Sequence, residues 1–125
     1  CTTIYQAGIL HDIGKIETPD SILLNPNNLN DIEYKIIQEH VIVGYKLLKH
    51  IPMFEHLADI IYAHHERYDG HGYPNKLKAD EINKFSRIMI LTDSFDAMTT
   101  SRIYKSRKSI PEAIKELETC SGKQF

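Results

Sequence analysis

The sequence predicts a single all-α domain, and three observations support this prediction. Several segments place apolar residues at the three- and four-residue spacing of one helix face. Capping residues precede some of these segments, and no segment shows the two-residue alternation of a half-buried strand. The chain has 125 residues, 42% of them hydrophobic, which is enough for one core.

The first long helix is predicted from about Asp31 to Lys49. Asn30 is a capping residue, and Glu33 follows it at the spacing of an N-terminal capping box. Ile51-Pro52 ends the helix, because the residue before a proline disfavours helical backbone. The apolar face of this helix comprises Ile36, Ile37, His40, Val41, Gly44, Leu47 and Leu48.

A second helix is predicted to lead directly into the sequence HHERYDGHGYP, residues 64–74. Its apolar stripe includes Leu57, Ile60 and Ile61, and it ends at His64. Two glycines in the following segment permit tight turns, and a proline restricts the backbone. An ordered loop is therefore expected directly after two adjacent histidines.

A third helix is predicted to begin at Asp80 or Asn83. We expect its core side to carry Ile88, Leu91, Phe95 and Met98. Asp93 shares a neighbouring face with Met89, Asp96 and Ala97, so it is expected to point to a different surface.

A last helix is predicted after a capping box formed by Ser109 and Glu112, with Pro111 in its first turn. Its apolar side is expected to comprise Ile110, Ala113, Ile114 and Leu117.

Charge and composition argue against several classes of function. A formal net charge of -2 and a pI near 6.4 disfavour broad binding to DNA or RNA polymers. The two cysteines, Cys1 and Cys120, do not form a disulfide framework, so a cytoplasmic location is expected. No apolar run approaches the roughly 18 residues needed to cross a membrane.

Side chains that bind metals occur at separate places, namely His11-Asp12, His40, His64-His65 and Asp93. Imidazole and carboxylate together suit iron, manganese or zinc better than calcium or magnesium alone. Any one of these residues has an ordinary structural explanation, as a hydrogen-bonded core histidine or a solvated aspartate. Several lie at the ends of apolar stripes, where burial without a partner costs several kcal/mol, so together they indicate a shared metal site.

Four segments resemble, in this order, the HD-GYP family of cyclic dinucleotide phosphodiesterases. They are LHDIGK (10–15), EHVIVG (39–44), HHERYDGHGYP (64–74) and TDSFDAMTTSRIY (92–104). The resemblance extends over residues 7–125, and the third segment is highly specific. It implies an HD-domain-like helical bundle with a Gly-Tyr-Pro loop.

The resemblance also implies two divalent metals, with iron or manganese favoured and a third metal in a longer domain. Asp12 corresponds to the ligand that bridges the two metals. Asp12 and Lys15 both correspond to catalytic residues. Lys15 follows Asp12 by three residues, which on a helix is the same face, and matches a lysine near the scissile phosphate. The remaining ligands implied by the resemblance are His40, His64 and His65 for one metal, and His11 and Asp93 for its neighbour.

For substrate binding, the resemblance and the loop chemistry favour three residues. Tyr73 is expected to stack on a guanine or contact its edge, Arg67 to contact a base or phosphate, and Arg102 to contact a phosphate of the dinucleotide. The role of Asp69 stays open between base recognition and local hydrogen bonding. His71 matches no ligand position.

The resemblance implies hydrolysis of cyclic di-GMP to linear pGpG, and onward to GMP, by a hydroxide that bridges the metals. Three alternatives stay open. One is the same chemistry on another cyclic dinucleotide. Another is a silent module that binds the nucleotide, or binds a diguanylate cyclase domain through Gly72-Tyr73-Pro74. The third is a different phosphohydrolase that acts on nucleoside phosphates.

Two departures from the family pattern bear on domain organisation. Family members carry a helix ahead of the His-Asp pair that supplies a further histidine ligand, and no histidine precedes His11 here. The family also continues into another helix beyond Phe125. Residues 1–125 are therefore expected to be a partial HD-GYP domain, whose pairing as a homodimer would cover exposed core.

Overall fold

The computed structural model describes residues 2–100 and 107–125. Within these residues it contains no strand, only an isolated bridge between Asp69 and Lys78, so the all-α prediction is confirmed. Two short 3-10 turns cover Ile13–Glu17 and Ala79–Glu81. The helices are α1 (Thr2–Leu10), α2 (Asp20–Leu23), α3 (Asp31–Gln38), α4 (His40–Lys49), α5 (Glu55–Tyr62), α6 (Lys84–Thr99) and α7 (Ile110–Thr119).

The core forms where α1, α4, α5 and α6 pack together. Leu57 and Ile61 of α5 are fully buried at its centre, as the apolar stripe before His64 predicts. The other buried members of this cluster are Ala7, Leu48, Ala58, Ile60 and Met89. None of the helices in the described residues is long and apolar enough to span a membrane.

The prediction of one helix from Asp31 to Lys49 is wrong, because two helices meet at Glu39. The predicted cap is confirmed: the Asn30 side chain accepts the N–H of Glu33, and the Glu33 carboxylate accepts the N–H of Asn30. At the junction, the Ile37 carbonyl accepts the Nδ1–H of His40. The ring thus competes for an acceptor that a continuous helix would use for its own backbone.

The predicted core side of α6 is also wrong. Ser86, Met89 and Ile90 are the buried residues of this helix, whereas Leu91 is 38% exposed. Ser86 donates a hydrogen bond to the Ile60 carbonyl at 3.0 Å, which fixes this face against α5. Asp93 follows Met89 by four residues, so it extends the buried face instead of pointing to a separate surface.

The predicted capping box of α7 is confirmed, since Ser109 and Glu112 hydrogen-bond reciprocally. Its apolar side is only partly buried. Ala113 is inaccessible to solvent, but Ile110 and Ile114 are exposed because α7 packs only along its Ala113 side.

Candidate metal centre

Four predicted ligands converge in the structure. Asp12, His40, His64 and His65 each offer one ligand atom, and all four atoms lie within 4.8 Å of one another. They come from three places in the chain: the turn after α1, the first residue of α4, and the residues that follow α5. Packing of the helices therefore brings together residues that are far apart in the sequence.

Gly14 makes this convergence possible by a close backbone approach. A Cβ atom at Gly14 would lie within 3 Å of the His40 carbonyl and of the Gly44 amide nitrogen. Only glycine leaves room for the turn that carries Asp12 to lie directly on α4. As a result, Oδ1 of Asp12 is 3.5 Å from Nε2 of His40.

A second group of ligands shares the same aspartate. Nε2 of His11 lies 3.5 Å from Oδ2 of Asp12 and 3.7 Å from Oδ1 of Asp93. The two oxygens of Asp12 thus face different partners, His40 on one side and His11 on the other. Oδ2 of Asp12 also accepts a hydrogen bond from Nζ of Lys15 at 2.6 Å, so each oxygen of this carboxylate has its own set of polar neighbours.

The orientation of three histidine rings is fixed by backbone carbonyls. Nδ1 of His11 lies 2.7 Å from the Gly8 carbonyl, Nδ1 of His40 lies 2.6 Å from that of Ile37, and Nδ1 of His64 lies 2.5 Å from that of Ile61. Because a carbonyl only accepts, each Nδ1 carries the proton and donates it. In the neutral ring, Nε2 then carries a free lone pair, and this is the form of the ring that binds a metal.

Three buried polar atoms at the centre of the cluster lack a hydrogen-bond partner within the described residues. They are Oδ1 of Asp12, Nε2 of His40 and Nε2 of His64. A buried polar group without a partner costs roughly 1–3 kcal/mol, so such atoms are rare unless they serve a ligand. These unpaired atoms are all ligand atoms, so the residues present fit a divalent cation.

Burial keeps three histidines of the site, His40, His64 and His65, neutral. It lowers the pKa of His64 from 6.5 to about 4 and that of His65 to about 2, and it lowers the pKa of His40 as well. For Asp12, burial alone would favour the protonated form. The hydrogen bond and the positive charge of Lys15 outweigh it and hold the pKa below the ordinary value. At neutral pH the site therefore presents neutral imidazoles and an ionised carboxylate, as metal binding requires.

The loop after the histidines is held by Glu66, which the sequence reasoning missed. Glu66 is buried, and its carboxylate accepts the N–H of Asn75 at 2.7 Å and that of Leu77 at 3.0 Å. Gly72 packs against the backbone of Glu66 and Arg67, where a Cβ would approach within 2.6 Å. An acidic residue directly after a buried stripe was the available signal, since such a residue needs partners.

A family model described as HD domain matches residues 1–125. The chain belongs to the HD domain family. Domains of this family depend on metals, and the Asp-His cluster is where this HD domain would hold one.

Within the HD domain family, the chain is similar to cyclic dinucleotide phosphodiesterases. A cyclic di-GMP phosphodiesterase of Thermotoga maritima is 44% identical over 99% of this chain and 34% of its own length. A 3'3'-cGAMP-specific phosphodiesterase of Vibrio cholerae is 38% identical over 98% of this chain and 24% of its own length. The resemblance to HD-GYP phosphodiesterases is thus confirmed, while the chain spans only about a third or less of these relatives.

The fold has a counterpart among solved structures. A cyclic GMP-AMP phosphodiesterase of Vibrio cholerae superposes with a TM-score of 0.67 at 22% identity, over 98% of this chain and 34% of that one. This likeness supports the predicted HD-like helical bundle.

A cavity of about 550 Å³ opens beside the candidate ligands Asp12, His40, His64 and His65, which we call the metal cluster. Its lining includes the candidate ligands His64, His65 and Asp93, and Arg67 and Tyr73 from the loop. The lining also includes residues that the sequence reasoning did not single out as substrate-binding, among them Tyr34, Gln38, Lys76 and Gln124.

The predicted substrate-binding residues differ in how the structure holds them. The Tyr73 ring stacks on that of His65 with centroids 4.9 Å apart, which covers one of its faces. Arg67 is paired with Asp69 through Nε at 3.1 Å and Nη2 at 2.7 Å, so part of its donor capacity is used locally. Arg102 lies outside the described residues. His71 is largely exposed and lies apart from the metal cluster.

Proposed function

We propose that this chain is a metal-dependent phosphodiesterase domain that hydrolyses cyclic di-GMP to linear pGpG, and onward to GMP. The observation that carries the proposal is the group of ligand atoms from Asp12, His40, His64 and His65, beside a cavity of about 550 Å³. The names of the relatives support the substrate class, since they act on cyclic di-GMP or 3'3'-cGAMP.

Two divalent cations, iron or manganese, are proposed as the cofactors, because mixed imidazole and carboxylate ligands suit these metals. His40, His64 and His65 would hold one cation, His11 and Asp93 the other, and Asp12 both. When bound, such cations neutralise charge on the phosphoryl oxygens and lower the pKa of a water molecule.

The residues of the chain supply orientation and charge. Asp12 is held ionised by Lys15, whose Nζ donates to Oδ2 of Asp12 at 2.6 Å. Lys15 is thereby fixed at the edge of the cluster, where its ammonium can offset charge on a phosphate or on the leaving oxygen. The proposed reaction needs no side-chain nucleophile, because a water molecule attacks the phosphorus atom.

Recognition of the dinucleotide is assigned to Tyr73, Arg67 and Arg102. Tyr73 offers one ring face to a guanine, since His65 covers the other. Arg67 keeps Nη1 and part of Nη2 for a base or phosphate, beside its pair with Asp69.

Other interactions and the location stay predictions. Gly72 is buried, and Tyr73 and Pro74 are half-buried, so docking of a diguanylate cyclase domain through these three residues has little exposed surface to use. Homodimerisation is likewise a prediction. We propose a cytoplasmic location because a chain with two cysteines does not depend on disulfides.

The test is a chromatographic assay of products from cyclic di-GMP and from 3'3'-cGAMP, with the chain loaded with ferrous iron or manganese. We expect the unmodified chain to form linear product from cyclic di-GMP. The Asp12→Ala variant should form it at least a hundredfold more slowly, which is within the range for loss of a central catalytic group. Asp80→Ala is the matched control, because the side chain of Asp80 is 94% exposed.

Equal rates for Asp12→Ala and Asp80→Ala would contradict the proposal. Binding of cyclic di-GMP without turnover by the loaded chain would favour the silent module, and faster turnover of 3'3'-cGAMP would reassign the substrate.

A further inference from the structure

We propose that Lys76 binds the second phosphate of the substrate, the one remote from the metal cluster, and so selects a cyclic dinucleotide over a simple phosphodiester. This inference rests on the proposed function. It concerns a residue outside the metal-binding segments, and it depends on how the loop after Tyr73 is built.

The first observation is the backbone of Lys76. Its φ angle is +57°, in the left-handed region that residues other than glycine seldom adopt. Such a conformation persists only where the surroundings enforce it, and it is common at functional sites.

The second observation is what enforces it. The two backbone N–H groups on either side of Lys76, those of Asn75 and Leu77, both donate to the buried carboxylate of Glu66. Because the Pro74–Asn75 and Lys76–Leu77 peptide groups are both held by one carboxylate, the backbone between them has little freedom. The Lys76 side chain is presented to the cavity from this fixed point, where it forms part of the lining.

The third observation is charge. Among the described residues that line the cavity, Arg67 and Lys76 are the permanent cations. Arg67 is paired with Asp69, whereas no carboxylate in residues 2–100 or 107–125 lies within 4.0 Å of the Lys76 ammonium. An exposed cation that lines the cavity and has no carboxylate partner among the described residues is available for a phosphate.

The substrate requires such a group. A cyclic dinucleotide carries two phosphodiesters, and only one of them can occupy the metal cluster during hydrolysis. Its second negative charge then lies elsewhere in the cavity, where Lys76 is, among the described residues of the lining, the permanent cation that has no carboxylate partner. A substrate with a single phosphodiester has no second phosphate for Lys76 to bind.

The experiment compares two substrates, cyclic di-GMP and bis(p-nitrophenyl) phosphate, which has one phosphodiester. For Lys76→Gly we expect KM for cyclic di-GMP to rise about tenfold, equivalent to about 1.4 kcal/mol, with kcat within about twofold. Hydrolysis of bis(p-nitrophenyl) phosphate should be unchanged, and Lys76→Arg should keep KM within about threefold.

Ala79→Gly is the matched control. Ala79 is the other non-glycine residue of the described chain with a positive φ, +46°, so the substitution relieves similar backbone strain without removing a charge. An equal rise in KM for Ala79→Gly, an unchanged KM for Lys76→Gly, or an equal loss on both substrates would overturn the inference.

Binding to the metal-free chain separates this inference from the proposed function. Calorimetry with cyclic di-GMP should show about tenfold weaker binding for Lys76→Gly and a shallower dependence on salt. If the loaded chain binds but does not hydrolyse, the proposed function fails and this difference in Kd still decides the role of Lys76. If the unmodified chain neither binds nor hydrolyses cyclic di-GMP, both proposals fail.

Discussion

At the scale of single residues, the histidines of the cluster show how burial prepares a metal ligand. Each Nδ1–H of His40 and His64 is donated to the carbonyl three residues earlier, which turns Nε2 inward. Burial then makes protonation of Nε2 unfavourable. Because of these two features, the free energy of unfolding of the metal-free protein depends on pH.

We predict that the metal-free chain loses stability as the pH falls below about 6.5. The unfolded chain protonates a histidine near pH 6.5, whereas folded His64 stays neutral until about pH 4. Between these values the unfolded state binds more protons, so the free energy of unfolding falls by up to about 1.4 kcal/mol per pH unit for each such histidine. Urea unfolding between pH 7.5 and 5.5 measures the slope above the range of most carboxylates.

The control for this prediction is the same substitution at an exposed histidine. His64→Gln should reduce the slope, and His56→Gln is the matched control, because His56 is exposed. An identical slope for the two variants would show that burial of His64 is not its cause.

At the scale of elements, the site depends on how closely the turn at Gly14 lies on α4. We predict that Gly14→Ala destabilises the chain by more than about 2 kcal/mol, because the new Cβ would overlap the His40 carbonyl. The turn must shift, so the affinity for Mn²⁺ should also fall. Chemical unfolding and a metal titration measure the two effects.

Gly8→Ala is the comparison for that variant. Gly8 lies within α1, and a Cβ there would meet nothing within 4 Å. Alanine should therefore stabilise the helix by about 0.5–1 kcal/mol. Equal effects at Gly8 and Gly14 would contradict the close approach.

The elements also show which features could be predicted from the sequence. Local signals such as the caps at Asn30 and Ser109 were sufficient, because both partners of a capping box lie three residues apart. The buried face of α6 was not predictable in this way. Its four consecutive apolar residues, Ile88 to Leu91, satisfy more than one stripe, and packing against α5 through Ser86 decides between them.

The candidate site divides along the same line. The side chains of the cluster were identifiable by residue type and by resemblance. The role of Glu66 was not, because its partners at Asn75 and Leu77 are backbone groups of a loop whose path the sequence does not specify.

At the scale of the whole molecule, the cluster joins three segments that also pack through the core and through the close contact at Gly14. A cation bound by Asp12, His40 and His64 would link the α1 turn, α4 and the end of α5. Such a ligand stabilises the folded state, because the unfolded chain does not preserve the site.

We therefore predict that Mn²⁺ raises the melting temperature. At a free concentration of 100 times Kd the gain is about 2.7 kcal/mol, or roughly 10 °C for a domain of this size. Thermal unfolding with Mn²⁺ and with a chelator measures the shift, which Asp12→Ala should abolish. A shift of the same size in Asp12→Ala would place the binding site elsewhere.

The two hydrogen bonds of Glu66 also limit how this chain can vary in length. They close a ring of covalent and hydrogen bonds around residues 66–77, and one added or deleted residue between His71 and Pro74 would move both N–H groups away from the carboxylate. The mostly exposed connection at residues 24–29, which precedes the Asn30 capping box, is not tied to a buried carboxylate in this way. Insertions accepted during divergence, or introduced as tags and grafts, should therefore collect in that connection and be excluded from the loop.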